Sequence, residues 1–303
     1  MKHLVVVGSV NVDIFLRVPH MPKIGETVLG NRFYWHIGGK GANQAVGIAR
    51  LGCPVYFVGK VGNDPFKDRI LGELEKEGVK TEFVVQDEKN PSGMAVITVD
   101  EKGRNFITVI GGSNRNLSCD DVEKAHEIIK DAFMVILQME IPLETVRFTL
   151  RLAKKWGVRT LLNPAPANFL SSRDFSSIDL LVPNEDEAER LTGVQIKNLE
   201  DAEKAGNLLL KEGVQITVLT LGERGALLVT KEKTQHFPAV PVRPEDTTGA
   251  GDSFVAAFAT ALSQDKNLEE AVKYANYAAS ISVTRPGAQP SLPYKNEVEN
   301  FMR

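Results

Sequence analysis

The sequence predicts an α/β fold: three layers, with a central, mostly parallel sheet between helices, and a small β-lid. Three observations predict it. Short apolar runs alternate with stretches of helical period along most of the 303 residues. Two segments break that alternation with extended, strand-like patterns. Glycine-rich segments lead into the helical runs. Strands alternating with helices of about ten residues form βαβ units, because parallel neighbours need a crossover of roughly that length.

The expected strands are His3–Ser9, Val55–Gly59, Phe133–Leu137, Val158–Leu162, Leu180–Pro183 and Ile216–Thr220. Leu4 to Val7 is apolar at every position, as in a strand buried on both faces. The expected helices lie near Ala42–Leu51, Phe66–Glu77, Asp121–Asp131, Leu143–Lys155 and Asp201–Lys211. Ser118, three residues before Asp121, resembles a helix N-terminus. Val12–Tyr34 has no helical period and reads as extended segments around Pro19, Pro22 and Gly25. Gly93–Ile110 reads as a hairpin, MAVITV and NFITVI flanking Asp100-Glu101-Lys102-Gly103. Both are expected to give antiparallel strands outside the main sheet. Together they form the lid, from insertions at about 12–36 and 93–110 in a single domain spanning 1–303. There is no internal repeat, low-complexity run or Pro-rich linker.

Hydrophobic residues make up 43% and charged residues 25%, an ordinary globular mixture with enough apolar material for a sizeable core. A net charge of −3 implies neither a polybasic nucleic-acid surface nor an acidic tail. Cys53 and Cys119 are far apart and form no CxxC or zinc spacing, so two buried free thiols are expected. Leu4–Val7 is too short for a signal h-region, and no apolar run approaches the ~18 residues of a membrane span. A cytoplasmic protein is expected.

The strongest motif is DTTGAGDSFVAAF, from Asp246 to Phe258. Gly249-Ala250-Gly251 leads into an apolar helical run, and two residues without Cβ let a ligand approach the backbone closely. The unsatisfied N–H groups and positive dipole end of a helix start attract phosphate. Asp252 at that spot is either a capping acid or a base held beside a transferring phosphoryl. GGKGAN, Gly38 to Asn43, opens another helix; it is either a plain glycine turn or a cradle for an anion or sugar. It is not a Walker A motif, and no GxxxxGK[ST] occurs in the chain. Asn11 and Asp13 follow the first strand and, if extended, share a face. They sit where α/β sheets bind ligands, at the carboxyl end of a strand, or they form a solvated strand exit. Glu140 follows the strand Phe133–Leu137 in the same way. Asn184-Glu185-Asp186-Glu187 follows the strand Leu180–Pro183. Asn184 and Glu187 have the spacing of a capping box, or they put an amide and a carboxylate near phosphate-bound Mg²⁺.

In this order, these pieces resemble the ribokinase family of carbohydrate kinases (PfkB type), from Val7 to about Pro293. Both family signatures are present: one from Gly38-Gly39 through Asn43, Ala45, Gly52 and Gly62, the other from Asp246 through Ala257. GSVNVD at Gly8–Asp13, GGKGANQA at Gly38–Ala45, NPAPA at Asn163–Ala167 and TRPGAQPSLP at Thr284–Pro293 are similar to its ribose-phosphorylating branch.

The resemblance implies a kinase that moves the γ-phosphoryl of ATP to the 5-hydroxyl of D-ribose, with Mg²⁺ and a monovalent cation such as K⁺. It makes Asp252 the catalytic base and Gly249, Ala250 and Gly251 the anion hole. Asn11, Asp13, Gly39, Lys40, Asn43 and Glu140 become sugar contacts, and Asn184 and Glu187 the phosphate and Mg²⁺ motif. Thr220, Gly222, Gly225 and Asn276, with Gly251, become the nucleotide site. Asp246 and Thr248 would hold the monovalent cation with oxygens of Ser282, Arg285, Gly287 and Ser291. A homodimer through the lid is implied as well. Related kinases of fructose, nucleosides or 2-keto-3-deoxygluconate share the DTTGAGD segment. A non-enzymatic sugar sensor would lose the base or the glycines, which are present here. A Rossmann dehydrogenase would carry GxGxxG after the first strand, which is absent.

Overall fold

The structure is a computed structural model and describes residues 2–168 and 170–303. Its strands are β1 (Leu4–Val7), β2 (Asn11–Arg17), β3 (Arg32–Gly38), β4 (Val55–Gly62), β5 (Val79–Asp87), β6 (Gly93–Val99), β7 (Asn105–Ile110), β8 (Met134–Leu137), β9 (Arg159–Leu162), β10 (Leu180–Leu181), β11 (Ile216–Thr220), β12 (Ala226–Val229) and β13 (Thr234–Phe237). Nine of them form one sheet in the order β13-β12-β11-β10-β9-β8-β1-β4-β5. Every neighbour from β11 across to β5 is parallel, and β12 and β13 add an antiparallel hairpin at one edge. This is the expected α/β architecture.

β1 is central, with Leu4 paired to Val55 on one side and Met134 on the other. Its side chains alternate between two buried layers, which is why the whole run is apolar. Leu4 and Val6 pack with Phe57, Ile136 and the helices Lys40–Arg50 and Ala250–Ser263. Val5 and Val7 pack on the other face with Leu117, Val122, Ile129 and Leu150. Each such fully buried aliphatic side chain contributes about 1.5–3 kcal/mol. The chain runs outward from β1 to β4 and β5, then restarts at β8 and runs the other way. Such a reversal opens a crevice at the carboxyl ends of the strands.

Four strands form a second sheet, the lid, in the order β3-β2-β6-β7. The pairs β2–β3 and β6–β7 are antiparallel as expected. The pair joining them corrects the expectation: β2 and β6 run parallel, Asn11 opposite Gly93 through Arg17 opposite Val99. The cause is the main sheet. β2 follows β1 and β6 follows β5, both leaving from the same rim, so both head in the same direction.

The expected helix Asp121–Asp131 is two short helices, Cys119–Glu123 and His126–Lys130. Ala125 N–H donates to the Val122 carbonyl, an i→i−3 bond that leaves the α-helical ladder. Ser118 is the N-cap, in a capping box with Asp121. Cys53 is buried, but Cys119 is half-exposed because it sits in the first turn of its short helix rather than under it. Polar residues spread through Val79–Asp87 hid β5, an edge strand with Lys80 and Glu82 exposed. No helix among the described residues is long and apolar enough to cross a membrane.

Candidate active site

Residues 8–13 carry the chain from the carboxyl end of β1 into the lid. Gly39 turns it back with φ 87°, and a Cβ there would lie 2.8 Å from the Val10 Cα. Only glycine fits that turn. The helix Lys40–Arg50 then starts against the loop, with Ala42 N–H donating to the Ser9 carbonyl at 2.9 Å. Glu140, just past β8, closes the corner. One of its oxygens accepts from Ser9 Oγ at 2.5 Å and from the Lys40 N–H at 3.2 Å. Asn11 is buried and its Oδ1 accepts from Asn114 Nδ2 at 2.8 Å. Asn114 also pairs with both backbone groups of Val10, at 2.9 and 3.0 Å. Neither Ser9 nor Asn114 stands out in the sequence as a site residue, since each acts through contacts more than a hundred positions away.

The helix Ala250–Ser263 shows that Asp252 is not a capping acid. Its N-cap is Gly249, at φ 80°, and the cap makes no side-chain hydrogen bond. Asp252 does not fold back onto its own helix. Its Oδ2 accepts from Asn43 Nδ2 at 2.9 Å and its Oδ1 from Gln44 Nε2 at 3.0 Å. The Ala250 N–H goes to the Thr247 carbonyl and the Ser253 N–H to Gly249. The N–H groups of Gly251 and Asp252 have no acceptor among the described residues. A Cβ on Gly251 would meet nothing within 4 Å.

These groups open on a cavity of about 190 Å³ lined by Lys40, Asn163, Asn184, Glu187, Thr220, Gly249, Gly251 and Asp252, among others. Free N–H donors with a carboxylate beside them suit an anionic group and a hydroxyl held together. A larger cavity, about 740 Å³, opens at the opposite rim of the sheet between Arg159, Gln215 and Leu268, and holds none of the predicted site residues.

Charge is dense here. Burial, then the negative charges of Glu140 and Asp252, push the Asp13 carboxyl up to about 7. Burial also disfavours the Lys40 ammonium, but Asp252, Glu140 and Glu187 outweigh it and hold its pKa above the ordinary lysine value. Burial raises the Glu187 carboxyl as well, against the hydrogen bond from the Asn184 N–H. Asn184 and Glu187 do form a reciprocal capping box, at 2.8 and 2.9 Å, while both face the cavity.

The predicted nucleotide residues divide. Thr220 lines the cavity. Gly222, Gly225 and Asn276 do not. Gly225 has φ 90°, and a Cβ there would lie 2.1 Å from the Phe237 carbonyl oxygen, a packing reason for glycine. Asn276 donates to the carbonyls of Phe237 and Pro238, at 3.2 and 3.3 Å.

The predicted cation residues gather on two laced segments. Asp246 accepts from Thr248 N–H and Oγ1 at 2.9 and 2.6 Å and from Gly287 N–H at 2.8 Å. Burial works against its charge, but these bonds hold its carboxyl below the usual value. The Arg285 guanidinium turns away to Glu297, while its N–H donates to the Ser282 carbonyl. Ser282 and Ser291 hydroxyls donate locally, to Ala279 and Ala288. Among the described residues no group of three or more His, Cys, Asp or Glu could hold a metal ion. A monovalent ion would rest instead on Asp246 and backbone oxygens, which fits a weakly hydrated cation. The loop also touches the start of the helix Ala250–Ser263: a Cβ on Gly249 would lie 3.0 Å from the Ala288 Cα.

The family model for pfkB family carbohydrate kinases matches residues 1–295. The chain belongs to the pfkB family of carbohydrate kinases. It is 40% identical over 302 residues to a ribokinase of Bacillus subtilis, covering 100% of both chains. It is 39% identical over 302 residues to a deoxyribokinase of Salmonella typhi, covering 99% of this chain and 98% of that one. The solved structure of Arabidopsis thaliana ribokinase, complexed with ribose and ATP, superposes with a TM-score of 0.93 at 36% identity, over 100% of this chain and 99% of that one. In this pfkB-family chain, the two glycine-rich segments are the parts that meet at Asp252.

Proposed function

We propose that the chain transfers the γ-phosphoryl of ATP to the 5-hydroxyl of D-ribose, giving ribose 5-phosphate and ADP. The observation that carries this reading is the Asp252 carboxylate. It is buried beside free N–H donors at a helix start, and it is oriented by two amides instead of capping its helix. Phosphoryl transfer needs in-line positioning and charge stabilisation more than covalent help. Asp252 accepts the proton of the attacking hydroxyl. The Gly251 and Asp252 N–H groups and the Lys40 ammonium hold charge developing on the phosphoryl oxygens. Asn11, Asp13, Gly39, Asn43 and Glu140 hold the sugar, and the lid excludes water, the competing acceptor.

Magnesium takes oxygen ligands and keeps much of its water; Glu187 and Asn184, which bond each other and line the cavity, would hold it through that water, and the ion would neutralise charge on the phosphates. Thr220, on the cavity wall, faces the nucleotide; Gly222, Gly225 and Asn276 shape the backbone behind it. The Asp246 loop holds a monovalent cation, and the lid pairs with that of a second copy.

2-Deoxyribose is the second reading, favoured by the near-equal identity to a deoxyribokinase, 39% against 40%. A coupled ADP-release assay across ribose, 2-deoxyribose, fructose, adenosine and 2-keto-3-deoxygluconate tests both. The highest kcat/KM is expected for ribose; a higher value for any other acceptor overturns the ribose assignment.

A further inference from the structure

Beyond the cavity, Asp252 is held by a chain of buried amides whose polarity is fixed from one end. Asn163 Nδ2 donates to the Val182 carbonyl at 2.9 Å. A carbonyl only accepts, so the Asn163 amide oxygen must face the other way, toward Gln44. Gln44 therefore presents its NH₂ there, donating to Asn163 Oδ1 at 3.2 Å. Its second hydrogen goes to Asp252 Oδ1 at 3.0 Å. Gln44 Oε1 in turn accepts from Gln138 Nε2 at 2.6 Å. Gln44 is fully buried and Gln138 nearly so.

Gln138 gives up something to serve this chain. Its own Oε1 is buried without a partner among the described residues. A Cβ on Gly8 would lie 2.0 Å from that oxygen, so the glycine after β1 makes the room it occupies. Turning the Gln138 amide over would set its oxygen against Gln44 Oε1, and the orphaned oxygen is the smaller loss.

We propose that Gln44 and Gln138 are positioning residues that lock the plane of the Asp252 carboxylate. Asn43 secures one oxygen and Gln44 the other. With both oxygens tethered, the carboxylate cannot rotate about its Cβ–Cγ bond when the acceptor hydroxyl arrives, and its remaining lone pairs point in set directions. Neither glutamine lines the cavity, so their effect is on turnover and not on binding.

The proposal rests on Asp252 being the general base, and the experiment separates the two. Gln44→Met and Gln138→Met are made alone and on an Asp252→Asn background, with melting temperature, kcat and both KM values measured. Gln44→Met is expected to lower kcat by about 10–100-fold, the scale of a small misplacement of a reacting group. Gln138→Met, one step further out, is expected to lower it about 5–10-fold. Both KM values should stay within about threefold of wild type, and neither substitution should lower the residual kcat of Asp252→Asn further, since there is no base left to position. Should Gln44→Met not fold, Gln138→Met carries the test. Folded variants with wild-type kcat, or the same fold loss with and without Asp252, overturn the positioning role. Wild-type turnover by Asp252→Asn alone overturns the base, and the positioning role with it.

Discussion

Asn43 and Asp252 touch at 2.9 Å across 209 positions of sequence, and one helical turn further on Gly47 meets Ala256, where a Cβ on the glycine would lie 2.7 Å from the alanine Cβ. The two glycine-rich segments thus start two helices that run side by side in matched register. The close contact one turn below the site brings the amide of one helix to the carboxylate of the other.

Asp252→Asn is expected to lower kcat by roughly 10²–10⁴-fold with little change in ATP or sugar affinity, because an amide cannot take the proton. Asn caps a helix nearly as well as Asp, so a purely structural Asp252 would leave turnover near normal. Steady-state kinetics decide: more than about a tenth of wild-type kcat removes the base assignment.

Gly47→Val should force the two helices apart. Overpacking of this kind costs about 1–3 kcal/mol. Thermal melting should register that loss, and kcat should fall as well, because Asn43 and Gln44 withdraw from Asp252. Unchanged kcat in a destabilised but folded variant would show that the helix contact does not set the site.

Asp13 sets a pH dependence. Its carboxyl stands near 7 in the folded chain against 3.8 as the ordinary value, chiefly from burial and then from Glu140 and Asp252. Between those values the folded chain keeps a proton the unfolded chain has released, so this group's contribution to stability falls as pH rises through the window. Asp13→Asn, neutral throughout, should therefore melt higher than wild type at about pH 8 and show no such advantage near pH 4. Equal differences at both would exclude Asp13 as the source. Its sugar KM should rise most above about pH 7, where wild type offers an ionised carboxylate and the amide does not.

Potassium should activate the enzyme, and Asp246→Ala should abolish the activation. The Asp246 loop leans on Gly249 through Ala288, so fixing it steadies the anion hole. Rates in sodium-free buffer with and without potassium test this; equal rates for wild type would count against a cation at the loop.

The lid should dimerise. β7 is exposed along its whole length, with Phe106, Ile107, Val109 and Ile110 open to solvent, and it is an edge strand. An apolar edge of that kind is a ready template for pairing with a second copy. Light scattering at micromolar concentration should give twice the monomer mass; Phe106→Lys with Val109→Lys should return it to one.

Much of this was legible in the sequence because it depends on local pattern. The apolar run Leu4–Val7 fixes a strand buried on two faces, and Gly249-Ala250-Gly251 before an apolar run marks the start of a helix. What escaped depends on partners distant in sequence. Nothing near Asp252 says that its carboxylate turns toward Asn43 and Gln44 instead of its own helix. Nothing near Gln138 says that its amide faces Gln44. The parallel pairing of β2 with β6 also follows from where β1 and β5 end, which no local pattern records. The helix break at Ala125 escaped because Val122, Ala125 and Ile129 keep a helical spacing of buried positions across it.

The lid leaves the body at Asn11, flanked by Gly38 on one side and Gly93 on the other, and stays packed on it through Val12, Ile37, Ile14 and Trp35, whose ring meets Phe66 and Arg69. It is a bracket fixed at its root. The rows beyond, where Leu16 pairs with Phe33 and Thr98 with Phe106, form the overhang, and both phenylalanines stand exposed there. A load on an overhang is carried at its root. Whatever grips Phe33 and Phe106 therefore pulls on the strand that holds Asp13, two residues from Asn11.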